Sequence, residues 1–359
     1  MGIRKVLNFA LIPFVAVSIS MGLWLKEDRM DSLKLKGFQD IGNSLEKLSI
    51  ESSISNLGED IDQLNLKATE IHVLLEKNQE AFNLQLDKIT SKIDESDSQR
   101  KLSDDIYEQK ILDILGQPIK THLSENNEIK VYELKELGYR GYIAKVKLFN
   151  PDSFKVVMGN DILGGLERPS SSAKRKNGIL AINGGGFGKR VVAGKTVSVP
   201  IGTTVVDGKF VTSVIAKSEK LFFSGINKAG QVIGTVPNTL EDIKELDPYQ
   251  GVSFIPALIR NYEKLQIPSK WKSTKHPRTI IGKYANDDLI LIVIDGRQGN
   301  WSSGASLERV QDKLLELGVK EAYNLDGGGS SIMYYDGKIL NKPSDGSERP
   351  VANSIVILP

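Results

Sequence analysis

Between Ile54 and Phe82 the apolar residues fall in alternating steps of three and four: Ile54, Leu57, Ile61, Leu64, Ala68, Ile71 and Leu75, with polar Asn78 in step before Phe82. That heptad spacing draws one apolar seam along an α-helix. The step slips at Leu86 and resumes through Ile89 and Ile93, a stutter that locally unwinds a supercoil. No proline follows until Pro118, so a single helix can run from Ile54 through Leu115, about 90 Å at ~1.5 Å per residue. A lone helix of this kind would leave its seam wet. The pattern therefore predicts a helical coiled-coil stalk over residues 26–115, closed by parallel self-association into a homo-oligomer, with Asn78 selecting register. An antiparallel hairpin folded back near Gly58 or Ser96–Ser98 is the alternative. His72, beside Ile71, reads as a solvated flanking side chain. Gly116, Pro118 and the polar run Ser124–Glu128 break the pattern and predict a linker over residues 116–128.

Upstream, Leu7–Leu25 carries no charge and is long enough to span about 28 Å of hydrocarbon as a helix. Arg4 and Lys5 precede it, and the apolar run exceeds the core of a usual signal peptide, so residues 1–25 read as an uncleaved, single-pass membrane anchor. Lys26, Arg29, Lys34 and Lys36 on the far side blunt any orientation argument from flanking charge.

From Ile129 the texture changes to short β-branched runs between Gly, Asn and Asp turns, such as Ile143–Leu148, Ile179–Ile182 and Leu289–Ile294. One helix stands out, with Ser306 as N-cap, Leu307, Val310, Leu314 and Leu317 on one face, and Gly318 past its end. A mixed α/β (α+β) domain over residues 129–359 is expected. Its chemistry is narrowed by what is missing. The sequence holds no cysteine, which removes disulfides, thiolate nucleophiles and cysteine zinc sites. Its three histidines are His72, His122 and His276, too few for a two-histidine centre in one place. Lys+Arg 47 against Asp+Glu 45 gives a net charge of +2, far from a nucleic-acid binder's footprint.

Asp207-Gly208 and Asp336-Gly337 lie between apolar runs, which is hairpin chemistry. Three other clusters follow a strand with no returning partner: Asn183-Gly184-Gly185-Gly186, Asp295-Gly296-Arg297 and Asp326-Gly327-Gly328-Gly329-Ser330-Ser331. Glycines there let a ligand approach the backbone and can turn N–H groups toward an anion. None of them matches a dinucleotide fingerprint or a P-loop. Lys275-His276-Pro277-Arg278-Thr279 and Ser347-Glu348-Arg349-Pro350 add cations, and an arginine fork suits phosphate. With one local histidine, any bound metal would be a hard cation such as Ca²⁺ or Mg²⁺ on Asp, Asn and carbonyl oxygens; no cofactor is required.

These pieces resemble, in their order along the chain, the phosphodiester glycosidase domain family: Ala181-Ile182-Asn183-Gly184-Gly185, His276-Pro277-Arg278-Thr279-Ile280-Ile281-Gly282, Asp295-Gly296-Arg297, Ser306-Leu307, Asn324–Ser331 and Asn341–Asn353. The resemblance covers residues 131–359. It departs where Gly186-Phe187-Gly188 supplies one aromatic residue in place of two, and at Ala305, where the family often has Met. What it implies is hydrolysis of a sugar-1-phosphodiester at the glycosidic bond, on N-acetylglucosamine-1-phosphodiesters or a related cell-surface glycopolymer, in an extracytoplasmic location. An oxocarbenium-like state needs carboxylates and a phosphate leaving group needs cations. Asp326 or Glu348 would serve as nucleophile or base, Asp295 as a further acid and His276 as auxiliary proton donor. Asn183, Gly184, Gly185, Arg278, Thr279, Arg297, Gly327, Gly328, Gly329, Ser330, Ser331, Asp345 and Arg349 would hold sugar and phosphate. The competing expectations are a phosphodiesterase cleaving at phosphorus and a non-catalytic exopolysaccharide binding or export subunit.

Overall fold

The computed structural model describes residues 44–359 apart from 193 and 217–219. The expected anchor, Leu7–Leu25, lies outside them; among the described residues no helix is long and apolar enough to cross a membrane. The chain divides into two compact units, residues 1–92 and 93–359.

In the first unit the described structure is helix α1 (Ser44–Leu115), which continues into the second. It runs unbroken through Gly58 and Ser96–Ser98, so the chain does not reverse at either point. On the single chain the seam is bare, with Leu57, Ile61, Leu64, Ile71 and Leu75 all exposed.

The second unit opens with the end of that helix, where the same spacing finds a partner in its own domain. Ile111 is fully buried among Tyr132, Ile143, Ile290 and Leu314, flanked by Tyr107, Leu112, Ile114 and Leu115. Glu108 pairs with Lys130 at 2.6 Å and with Lys145 at 3.1 Å, and buried Lys145 also meets buried Asp288 at 2.7 Å. The expected linker is not slack chain either. Residues 116–128 contain β1 (Lys120–Leu123), which pairs antiparallel with β2 (Asn127–Glu136). The domain therefore starts inside the helix and not at residue 129, because apolar contacts and ion pairs tie residues 107–115 to the strands.

The main sheet continues through β3 (Tyr139–Leu148), β13 (Ala257–Arg260), β14 (Glu263–Lys264), β15 (Arg278–Lys283), β16 (Leu289–Ile294) and β17 (Glu321–Asn324), in the order β1-β2-β3-β16-β15-β17-β13-β14. Strand alternation decides its two faces. On β16, Leu289, Leu291 and Val293 point to one core, while Ile290, Ile292 and Ile294 point to the other. The second core is covered by the end of α1 and by the helix that Ser306 caps, Leu307–Glu316, whose Leu307, Val310 and Leu314 are buried. The Ser306 side chain accepts from Arg309 N–H, and Gly318 takes φ +76 just beyond the helix end.

The first core lies between this sheet and two five-stranded ones. One is β19-β18-β5-β20-β4, from β4 (Phe154–Met158), β5 (Leu180–Asn183), β18 (Met333–Tyr335), β19 (Lys338–Ile339) and β20 (Asn353–Ile357). The other is β11-β10-β12-β8-β9, from β8 (Thr204–Val206), β9 (Lys209–Thr212), β10 (Phe222–Asn227), β11 (Val232–Thr235) and β12 (Pro248–Phe254). A separate hairpin, β6 (Phe187–Val192) with β7 (Lys195–Pro200), leaves the end of β5. Both expected Asp-Gly turns are hairpins. Asp207 and Gly208 have φ +48 and +74, and Asp336 and Gly337 have +42 and +84, the doubly left-handed turn that this dipeptide favours.

Candidate active site

Antiparallel pairing brings three loops to one rim. β15 begins at Arg278 between the finishing ends of β16 at Ile294 and β17 at Asn324, so Arg278, Asp295 and Asp326 leave adjacent strands on the same edge. β5 delivers Asn183 to that edge from the second sheet. Its amide donates to Asp326 O at 2.6 Å, and its Oδ1 accepts from Thr279 Oγ1 at 2.8 Å and from Ile332 N–H at 3.1 Å. Leu325 N–H to Thr279 O (2.8 Å), Gly328 N–H to Pro277 O (3.0 Å) and Asp326 N–H to Gly184 O (3.2 Å) complete the lashing. Asn183 and Thr279 are fully buried and engaged with the protein, so both position the loop and do not face a ligand. Asn183→Ala is expected to cost about 2–3 kcal/mol in urea unfolding by orphaning these buried partners, and to lower activity with it.

The rim's floor is Gly327-Gly328-Gly329, with no room for side chains. A Cβ on Gly327 would lie 2.8 Å from Pro277 O; on Gly328, whose φ is +62, it would lie 3.0 Å from Arg297 Nη2; on Gly329 it would run into Asp345 and Arg349. Those close approaches place Arg297 and the Arg349–Asp345 ion pair around the loop.

Asp326 sits in this floor with one carboxylate oxygen accepting from Gly327 N–H at 3.0 Å. Burial pushes its carboxyl above the ordinary range, against the nearby Ser330 hydroxyl, that N–H and the charge of Arg349. Arg278 is 7% exposed. Its guanidinium donates to Ala305 O at 3.1 Å and Thr274 O at 2.8 Å, two neutral carbonyls, and makes no ion pair among the described residues. Burial, with Arg297 nearby, brings its pKa down to about 10. A buried cation without a counter-charge is costly unless an anion completes it. The buried Ser331 hydroxyl closes no hydrogen bond, while the buried Ser330 hydroxyl stands at the Asp326 carboxyl; a free hydroxyl on the glycine loop and an unpaired cation on the adjoining strand suit an oxyanion.

Burial, Arg278 and Arg297 all press the His276 imidazole below its usual value, and its buried Nδ1 has no partner. Both neighbours and burial thus disfavour the charged imidazolium at this position. Two expected acids are committed elsewhere. Glu348 takes Ser170 N–H at 2.7 Å and Ser170 Oγ at 2.5 Å, closing the first turn of helix Pro169–Arg175. Asp295 is 1% exposed and accepts from Trp301 Nε1 (2.8 Å), Asn341 Nδ2 (3.0 Å) and Lys342 N–H (2.9 Å). Its pKa is raised by burial, with these donors opposing. Gly184 and Gly185 donate their N–H groups to Asn353, to its O at 3.0 Å and Oδ1 at 2.8 Å, so neither amide is turned toward a phosphate. Among the described residues no three His, Asp or Glu side chains gather as metal ligands.

Asn341 and Asn353 were given no role by sequence reasoning, although both lie in the closing segment that carries the resemblance. Asn341 bridges Asp295 to Ser331 O at 2.9 Å, linking two glycine loops. Trp301 went unnoticed as well; Arg140 and Lys342 approach its ring at 4.7 and 3.6 Å.

The chain belongs to the phosphodiester glycosidase family, whose model matches residues 176–358, just over half of its length. It is 29% identical over 182 residues to the N-acetylglucosamine-1-phosphodiester alpha-N-acetylglucosaminidase of Mus musculus, covering 46% of this chain and 33% of that protein. A Bacillus subtilis SPbeta prophage-derived uncharacterized protein, YomE, is 40% identical over 85 residues, covering 24% of this chain and 13% of its own. The chain thus spans no more than about a third of these curated relatives. Among solved structures, the catalytic domain of the zebrafish N-acetylglucosamine-1-phosphodiester alpha-N-acetylglucosaminidase, auto-inhibited by its pro-peptide, shares the fold. Its TM-score is 0.53 at 23% identity, covering 68% of this chain and 87% of that one. A hypothetical protein from Synechocystis gives 0.52 at 15%, covering 67% and 63%.

Proposed function

We propose that this protein hydrolyses the glycosidic bond of sugar-1-phosphodiesters, N-acetylglucosamine-1-phosphodiesters or related cell-surface glycopolymers, releasing free sugar and a phosphomonoester. The observation that carries the reading is that Asp326, whose carboxylate has only local partners in Gly327 N–H and the Ser330 hydroxyl, and Arg278, buried with no ion pair among the described residues, leave adjacent strands on one rim. Arg278, with Arg297 and Arg349 at the glycine floor, neutralises the phosphate as the bond between the anomeric carbon and oxygen breaks and its electron pair goes to phosphate. Phosphate is a weak base, so departure needs charge neutralisation more than a strong acid. Asp326 then acts in its ionised form, as nucleophile or as base for water. Water's oxygen ends on the anomeric carbon; one of its hydrogens stays on the new sugar hydroxyl and the other goes to the phosphomonoester.

The expectations for the rest of the chain join this reading. Leu7–Leu25 anchors it as a single-pass membrane protein with the catalytic domain extracytoplasmic, and the exposed seam of α1 closes by pairing with further copies. Hydrolysis in ¹⁸O-labelled water tests the reaction. Label at the sugar's anomeric oxygen is expected; label in phosphate would mean cleavage at phosphorus and reject the proposal.

The raised Asp326 value has a signed consequence. Because the folded carboxyl holds its proton more tightly than the unfolded one, ionising it costs stability, and that cost sets in as pH climbs from the ordinary Asp range, about 3.9, through the raised value. Activity moves the other way, rising with the ionised fraction. The acid limb of kcat/KM is expected above the ordinary Asp range, while Asp326→Asn gains thermal stability relative to wild type across the same window.

A further inference from the structure

Beside the rim lies a cleft of about 1060 Å³, above the roughly 300–1,000 Å³ that encloses a typical small ligand. Both of its neighbouring walls lead to the catalytic residues. One is the β12–β13 junction: Ile255 O accepts from Asn324 Nδ2 at 2.8 Å and Pro256 O from Asn324 N–H at 3.1 Å, two residues before Asp326. The other is the segment Pro268–Lys272, which runs on to Thr274, whose carbonyl holds Arg278. The cleft is lined by three cations, Lys220, Arg260 and Lys272, against one carboxylate, Glu308, which is already paired with Lys272 at 3.2 Å. Lys220 makes no ion pair among the described residues, and Arg260 meets the neutral Tyr323 hydroxyl.

Resting on the hydrolase reading above, we propose that this cleft binds the portion of the substrate beyond the scissile phosphodiester, and that this portion carries at least one further phosphate. The substrate is then a chain of phosphodiester-linked sugars, with Lys220 and Arg260 as determinants of chain-length preference. A volume larger than one ligand, walled by segments that hydrogen-bond to Asn324 and adjoin the one that holds Arg278, and left with excess positive charge, suits a polyanion better than a neutral glycan. A small uncharged aglycone would fill neither the space nor the field.

The test compares a methyl sugar-1-phosphodiester with a synthetic oligomer of three or four sugar-1-phosphate units, using the full chain. Wild type is expected to show a kcat/KM about tenfold higher on the oligomer, falling as salt screens the contact. In Lys220→Glu and in Lys220→Ala/Arg260→Ala the oligomer-to-monomer ratio collapses to about one, and the rate on the small substrate reports that each variant is folded. Hydrolysis of the small substrate by wild type with no length preference overturns this proposal and leaves the hydrolase reading standing. A preference indifferent to salt and to both variants overturns it equally. Failure on both substrates removes the hydrolase reading and this inference with it.

Discussion

Asp326→Asn is expected to lower kcat by about 10³-fold while leaving the fold intact, the magnitude typical of losing a positioned carboxylate that handles charge or a proton in the transition state. The substitution is nearly isosteric. Its side-chain oxygen can still accept from Gly327 N–H, and the backbone bonds that fix the loop, Asp326 O to Asn183 and Asp326 N–H to Gly184, do not involve the changed atoms. Removing a carboxylate that burial disfavours ionising also removes a destabilising charge, so the melting temperature at neutral pH should hold or rise. Progress curves on a sugar-1-phosphodiester, read beside a thermal melt, measure both. Activity within tenfold of wild type would show that Asp326 is not the reacting carboxylate, and the other acids at the rim are too heavily hydrogen-bonded to replace it.

Arg278→Gln should reduce kcat/KM by about 10²-fold and weaken inhibition by inorganic phosphate by a similar factor, as expected for losing a preorganised cation from the leaving-group site. What separates this from a structural role is the sign of the stability change. Arg278 is desolvated, lacks a carboxylate and donates to two backbone carbonyls; a glutamine amide can keep one of those bonds without the buried charge. Retained or increased stability with a large loss of rate marks a residue kept for its substrate. Reduced stability with unchanged phosphate inhibition would mean that Arg278 only pins Thr274 and Ala305.

Much of the scaffold was legible because its signals are local. Leu289–Ile294 reads as a strand buried on both faces, the two Asp-Gly turns declare their hairpins, and Ser306 with Gly318 brackets a helix whose apolar residues fall on one face. The glycine clusters were legible as a rim for the same reason: each follows a strand that does not return. What failed to show was which carboxylate is spoken for. Glu348, Asp295 and Asp326 look alike in one dimension. Their difference lies in donors brought from far along the chain, Ser170 to Glu348 and Asn341 to Asp295, against only local groups for Asp326, the N–H of Gly327 and the nearby Ser330 hydroxyl. The phosphate role expected of Gly184 and Gly185 failed to appear in the same way, because Asn353, far along the chain, takes their N–H groups. Four residues, Lys120–Leu123, were too short and too exposed to announce a strand.

The end of α1 carries a practical consequence. Heptad spacing reads identically whether the seam meets another chain or the molecule's own strands, and at Ile111 it meets the latter. Trimming the protein at Gly116 would bare the apolar side of β2, β3 and β16 and strip buried Lys145 of one of its two anionic neighbours. The smallest autonomous fragment has to begin upstream of Tyr107, and a protease that clips this helix near its end would unseat the domain's second core, not release an intact domain.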